Sequence, residues 1–123
     1  MQVLGHHLYE YCKGLRNLVL HTLERRDVTQ AVQRLESAGI DYEVYSINDR
    51  RANIFFGASE CVDVIRKIGK PSLKNYSPEE DFILGIMLGY ERRKQCERYL
   101  KQSASYTPPR LCQCAIPGDC CHG

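Results

Sequence analysis

The sequence predicts a small α+β domain in which helices pack on a three-stranded sheet. Two observations indicate it: three short segments have the apolar pattern of strands, and others repeat apolar residues at helical spacing. The predicted order is strand–helix–strand–strand–helix, followed by a C-terminal pair of helices. A chain of 123 residues is long enough for one core, so we expect one domain over residues 1–102 and a flexible tail rich in Pro and Cys over 103–123.

The predicted strands differ in how many faces they bury. The first, Leu18–Thr22, is apolar on both faces, whereas Ile40–Val44 alternates apolar and acidic residues and so has one wet face. A polar turn at 48–51 leads into a return strand at Asn53–Phe56. The final helix pair or a second subunit is expected to cover the second sheet face, which would carry Val19, Tyr45 and Phe55.

Local signals mark the ends of the two helices that pack on the sheet. Asp27 and Gln30 have the spacing of a capping box, and Gly39 supplies the left-handed stop. Ser59 is expected to cap the next helix, which ends at Gly69. The apolar stripe of that helix is predicted at Cys61, Val64, Ile65 and Ile68.

The C-terminal helix pair begins at Ser77-Pro78, which three acidic residues follow. Serine accepts hydrogen bonds from the free backbone amides of the first turn, and proline suits the first helical position. The acidic side chains interact favourably with the positive end of the helix dipole. That helix continues through Leu88 and is apolar nearly all round, and a basic helix follows from Tyr90 to Lys101. Near the N-terminus, the pattern of His6–Lys13 fits either a short helix or an edge strand.

Composition excludes several classes of function. The N-terminus lacks the basic-then-apolar order of a signal peptide, and the longest apolar stretch, 82–90, is too short to span a bilayer, so we expect a cytoplasmic protein without a membrane partner. A net charge of +2 is too weak to indicate nucleic acid as a partner. No nucleophile or carboxylate can be placed beside a histidine, so we expect neither enzymatic activity nor a cofactor.

The apolar helix predicts a homodimer. Gly85 and Gly89 lie four residues apart, which on one helix face would let another backbone approach closely. A helix that is apolar all round has more apolar surface than one small chain can bury. Packing within one subunit is the alternative. The predicted subunit interface consists of Phe82, Gly85, Ile86, Gly89 and Tyr90.

The basic helix that follows is either a solvated face or a docking surface for an acidic protein. The predicted partner-binding residues are Arg92, Arg93, Lys94 and Arg98. No aromatic-rich basic groove of the kind that binds single-stranded nucleic acid accompanies this run, which disfavours nucleic acid.

The tail concentrates four of the seven cysteines. Thiolates and imidazole are preferred ligands of Zn and Cu(I), which makes a metal-binding or thiol-redox function through the tail the alternative. The spacing differs from that of structural zinc sites, since one residue separates the first cysteine pair and none the second. The candidate ligands are Cys112, Cys114, Cys120, Cys121 and His122.

Three stretches carry a resemblance to a known family: His6–Thr22, Asn53–Gly57 and Asp81–Tyr99. Together they resemble a family of small bacterial proteins classed as a domain of unknown function, over about residues 6–101. The resemblance implies three strands, five helices and a homodimer, and therefore a helix at His6–Lys13. It also implies an electron-transfer context with a flavodoxin as acidic partner, because such proteins occur near flavodoxins in some bacteria.

Overall fold

The structure, a computed structural model, describes residues 2–106. The helices are α1 Gln2–Cys12, α2 Val28–Ser37, α3 Ser59–Ile68, α4 Pro78–Met87 and α5 Arg92–Ser105, and the strands are β1 Leu18–Glu24, β2 Asp41–Ser46 and β3 Arg51–Gly57. Single 3-10 turns lie at Arg25–Asp27 and Leu73–Asn75. The predicted α+β class and element order are confirmed, and the His6–Lys13 segment belongs to a helix. None of the described helices has the length and apolar character needed to cross a membrane.

All neighbouring strands of the sheet are antiparallel, in the order β1-β3-β2. Leu20 lies opposite Phe55 on one side of β3, and Glu43 lies opposite Phe55 on the other. The strand order makes β1 and β2 the two edge strands. The central strand β3 is buried from Ala52 to Gly57.

Helices cover both faces of the sheet, and each face has its own apolar core. The first core lies against α1 and α2 and contains Leu4, Val19, Leu23, Ala31, Leu35, Ile40, Ala52, Ile54 and Phe56. The second lies against α3 and α4 and contains Leu18, Phe55, Val62, Ile65, Tyr76, Leu84 and Leu88. Tyr45 packs on this second core. Val19 therefore faces away from Phe55 and Tyr45, so the expectation that all three share a face is wrong, because adjacent strand residues point to opposite faces.

The helix ends follow the sequence only in part. Ser77 caps α4 as predicted and forms a capping box with Glu80, and Gly39 and Gly69 have the left-handed φ values of 70° and 66° that end their helices. The other two predicted caps hold only in part: Asp27 is the N-cap residue of α2, whereas Ser59 is not the N-cap of α3. Asp27 ends a 3-10 turn without a side-chain cap bond, and the N-cap of α3 is Ala58, with Ser59 already inside the helix.

The last two helices form a hairpin whose connection includes Gly89. This glycine has a φ of 85° and lies beyond the last residue of α4, so it is a left-handed stop and does not share a helix face with Gly85. The expectation of two packing glycines on one helix is therefore wrong. The second helix runs to Ser105, past the predicted domain end at residue 102.

Candidate interaction surface

Side-chain contacts hold α5 against α4 along most of its length. The Arg98 guanidinium donates to the Asp81 carboxylate at 2.8 Å, and the Tyr99 hydroxyl donates to Glu79 at 2.9 Å. The rings of Phe82 and Tyr99 pack with centroids 5.5 Å apart. The hairpin is thus a paired unit whose outer side, on α5, faces away from the sheet.

The structure places the predicted interface residues mostly inside this hairpin. Gly85 is buried and lies against the side chain of Gln95 on α5, and Phe82 contacts Tyr99. Ile86 is half-buried, whereas Tyr90 is 54% exposed. Contacts within one chain therefore account for Phe82 and Gly85, and a subunit contact through these residues stays a prediction.

The predicted partner-binding residues divide into two kinds. Arg98 is paired with Asp81 and so helps to hold the hairpin together, which raises the pKa of its guanidinium above the ordinary value. Arg92, Arg93 and Lys94 are exposed and form no ion pair with any residue in the range 2–106. They occupy the first turn of α5, where the backbone amides already place positive charge.

Glu91 fixes the start of α5 and with it the direction of the three cations. Its carboxylate accepts from the backbone N–H groups of Arg93 at 3.2 Å and Lys94 at 2.8 Å. The one acidic side chain at this turn therefore binds backbone amides and does not pair with the neighbouring cations. The cationic side chains are therefore left free to meet an external anion.

Apolar side chains border the cations on the same helix pair. Tyr90 precedes them, and Leu100 is 65% exposed two turns along α5. The helix α5 buries none of its residues. A cleft lined by Leu20, Leu73, Leu84, Leu88, Tyr90 and Gln95 separates the base of the hairpin from β1.

A pair of histidines joins α1 to β1, and the sequence did not indicate it. The rings of His7 and His21 lie 5.2 Å apart, and Arg16 lies 3.4 Å from His7 Nδ1. Burial, and then the Arg16 charge, lower the pKa of His7, while burial and then His7 itself lower the pKa of His21. Both rings are therefore neutral at pH 7. His21 was expected as a core histidine, and it is half-buried beside this partner.

Metal-ligand geometry is absent from the described part of the chain. No group of three or more His, Cys, Asp or Glu side chains in residues 2–106 could hold an ion. Three free cysteines lie there, Cys12, Cys61 and Cys96. The predicted ligands Cys112, Cys114, Cys120, Cys121 and His122 lie outside the described residues, so metal or thiol chemistry of the tail stays a prediction.

A family comparison covers the fold just described up to residue 102, within α5. Residues 2–102 match the family described as Protein of unknown function (DUF2023). The chain belongs to this family. The resemblance to a domain of unknown function is thereby confirmed. No curated protein matches the chain.

An arginine of this DUF2023 domain that the sequence analysis did not single out forms the largest ionic cluster described. Arg66 of α3 donates to Asp41 at 2.8 and 2.9 Å, to Glu43 at 3.0 Å and to the Tyr42 carbonyl at 2.7 Å. These contacts raise the pKa of Arg66 and hold the pKa of Asp41 below its usual value. The acidic positions of Ile40–Val44 were the available signal, since a wet strand face rich in carboxylates attracts a cation.

Proposed function

We propose that this chain is a homodimeric protein–protein interaction module whose α5 helix binds an acidic protein. The observation that carries the proposal is the set of three exposed cations at the N-terminus of α5, which form no ion pair within residues 2–106: Arg92, Arg93 and Lys94. The resemblance to proteins found near flavodoxins supports an electron-transfer context, with a flavodoxin as the partner.

The position of the cations is costly for the isolated chain. A positive side chain in the first helical turn opposes the helix dipole by about 0.3–1 kcal/mol, and the three lie within one turn. An acidic partner offsets this unfavourable energy, because it is attracted both by the guanidinium and ammonium groups and by the helix N-terminus. A solvated face with no partner gains nothing from that arrangement.

Exposed apolar side chains make the same surface suitable for a protein rather than a small anion. Tyr90 is 54% exposed and Leu100 is 65% exposed on the hairpin that carries the cations. Tyrosine and arginine are enriched in protein interfaces, where an aromatic anchor is surrounded by charged contacts. Charge then sets the rate and specificity of docking, and the apolar pair holds the complex.

The test is binding to a purified flavodoxin, measured by titration calorimetry at low and at physiological salt. The variant Arg92→Glu/Arg93→Glu removes two cations and favours the helix dipole, so a loss of binding is not caused by unfolding of α5. We expect binding to weaken at least tenfold and to lose its salt dependence. The matched control is Lys67→Glu, an exposed position of α3 on another surface. Binding that survives in the double variant, or is lost equally in the control, contradicts the proposal.

The tail supports a second candidate, a metal-binding or thiol-redox function. Its thiols and His122 are suitable ligands for Zn or Cu(I). Metal content after anaerobic purification, compared between the full chain and a chain ending at Tyr106, tests it. Equal metal content and equal thiol reactivity per remaining cysteine would rule out this function.

A further inference from the structure

Among residues 2–106, no group bonds to the backbone groups on the outer edge of β1. Arg25 N–H donates to the Arg50 carbonyl at 2.7 Å and Ala58 N–H donates to the Asn17 carbonyl at 2.9 Å, both in the β1–β3 register. Odd-numbered residues therefore direct their backbone groups toward β3, because the pattern alternates along an antiparallel strand. The groups that point away from the sheet belong to Leu18, Leu20, Thr22 and Glu24. Leu18 is fully buried, so the accessible part of the edge is Leu20–Glu24.

The opposite edge of the sheet is closed, in contrast. On β2 the even-numbered residues point outward by the same alternation, since Ile47 N–H donates to the Arg51 carbonyl. Arg66 occupies this edge, where it binds the outward Tyr42 carbonyl and both flanking carboxylates. Charged side chains at an edge prevent another strand from pairing there.

On β1, the one charged residue is Glu24 at its end, which pairs with Arg26. The segment Leu18–Leu23 carries no acidic or basic side chain apart from His21, which is neutral at pH 7, and no side chain in residues 2–106 bonds to its outward backbone groups. Clefts border the strand on both faces: one brings Val3, which is 57% exposed, beside His21 and Leu23, and the other brings Tyr90 beside Leu20. A strand edge without charged side chains at Leu20 and Thr22, beside the exposed apolar side chains of Val3 and Tyr90, is a template for a further strand.

We propose that the β1 edge pairs antiparallel with β1 of a second copy of this chain, which joins the two sheets into one of six strands. This inference rests on the proposed homodimer and assigns the β1 edge as its subunit interface. Antiparallel pairing centred near His21 is isologous, because each copy presents the same outward residues to the other.

The area that a stable dimer needs favours a second copy over a single added strand. Stable interfaces bury about 800 Å² per partner, and one edge strand supplies only part of that. A second copy also brings its own Val3 and Tyr90 to the junction. By symmetry, the exposed apolar side chains of both copies would then be buried there. A lone peptide strand would leave most of that apolar surface in water.

The test is the molar mass in solution at micromolar concentration, measured by light scattering during size exclusion. Thr22→Pro removes an outward N–H that no described residue uses, and proline is tolerated at such an edge position. We expect the wild type to be a dimer and Thr22→Pro a monomer. Ser46→Pro is the matched control, because Ser46 is outward on the closed β2 edge, and Thr22→Val controls for the hydroxyl bond to Asn53. Both controls are expected to remain dimeric.

Amide hydrogen exchange of the wild type keeps the inference testable if Thr22→Pro fails to fold. The Leu20 and Thr22 amides are expected to be protected in the dimer, because a second strand accepts from them. A dimer in which both amides exchange freely, or which folded Thr22→Pro leaves intact, overturns the strand-edge inference and leaves the proposed dimer standing. A monomeric wild type overturns the dimer itself, and protected amides in that monomer would assign the edge to the chain's own tail.

Discussion

Gly85 of α4 lies so close to Gln95 of α5 that a Cβ atom at position 85 would overlap the Gln95 side chain. Glycine inside a helix costs about 1 kcal/mol relative to alanine. Because Gly85 lacks a Cβ atom, the two helices can approach closely, and this contact lies within one chain. The glycine that suggested a subunit contact in the sequence thus has an intrachain partner.

The first prediction concerns the coupling of these two residues. Gly85→Ala gains helix propensity but displaces Gln95, so we expect a stability change near zero or a loss of about 1 kcal/mol. In a Gln95→Ala background the obstruction is absent, and Gly85→Ala should stabilise by about 0.5–1 kcal/mol. Urea unfolding of the four proteins of this double-mutant cycle measures the difference.

Gly5 provides the matched control for a helical glycine. A Cβ there would come no nearer than 3.5 Å to Arg34, an ordinary contact. Gly5→Ala should therefore stabilise by about 0.5–1 kcal/mol without any second substitution. Equal effects of Gly85→Ala in the two backgrounds would show that Gln95 does not constrain position 85.

The sequence predicted what local patterns control and missed what tertiary contacts control. Ser77 with Glu80 caps α4 as expected, because both partners of a capping box lie within one turn. Ser59 is also expected to cap a helix, yet the cap falls at Ala58, where the Ala58 N–H bonds to the Asn17 carbonyl near the start of β1. The Arg66 cluster joins residues more than twenty positions apart, so no local spacing could have indicated it.

The second prediction is a loss of stability between pH 7 and pH 5 that depends on the histidine pair. The folded-state pKa values of His7 and His21 are lowered, chiefly by burial, so the unfolded chain binds more protons over this range. Stability is therefore complete above the ordinary histidine pKa and falls as pH decreases toward the folded values. Urea midpoints measured at several pH values follow the loss.

His21→Gln tests the origin of this pH dependence. It removes one titrating ring and the repulsion that a protonated His7 would meet, so the slope between pH 7 and pH 5 should become shallower. His6→Gln is the matched control, since His6 is exposed and lies on the same helix as His7. A slope that falls equally in both variants would assign the effect to charge in general rather than to the buried pair.

The third prediction concerns Arg66 and the β2 edge at acidic pH. The Arg66 hydrogen bond is the largest cause of the lowered pKa of Asp41, so this carboxylate stabilises the fold above its unfolded pKa and ceases to do so as pH falls through the folded value. Arg66→Met should flatten the stability profile between about pH 5 and pH 3. It should also open the β2 edge and cause association that increases with concentration, detected by light scattering.

Lys67→Met is the control for Arg66→Met, because Lys67 neighbours Arg66 but forms no ion pair with any residue from 2 to 106. It removes the same charge and leaves the Tyr42 carbonyl covered. Neither the acid profile nor the association should change. An unchanged profile in Arg66→Met itself would mean that Asp41 is stabilised by its own Tyr42 N–H bond and not by the arginine.

The fourth prediction compares the two serines that the sequence predicts as helix caps, Ser59 and Ser77. The Ser77 hydroxyl accepts from Glu80 N–H at 3.1 Å, and Glu80 in turn accepts from Ser77 N–H and from Lys70. Ser77→Ala should cost about 1 kcal/mol of unfolding free energy, because the amide of Glu80 loses its acceptor at the start of α4. Ser59→Ala should change stability by less than about 0.5 kcal/mol, since Ser59 lies in the first turn of α3 and caps nothing.

Thermal and urea unfolding of both alanine variants measure this difference, and hydrogen exchange in the first turn of α4 locates it. The hairpin rests on the core through Leu84 and Leu88, so fraying at Ser77 should increase exchange in α4 before it affects the sheet. A loss as large in Ser59→Ala as in Ser77→Ala would show that the hydroxyls act through solvation and that the capping box does not anchor the helix that leads to the cationic surface.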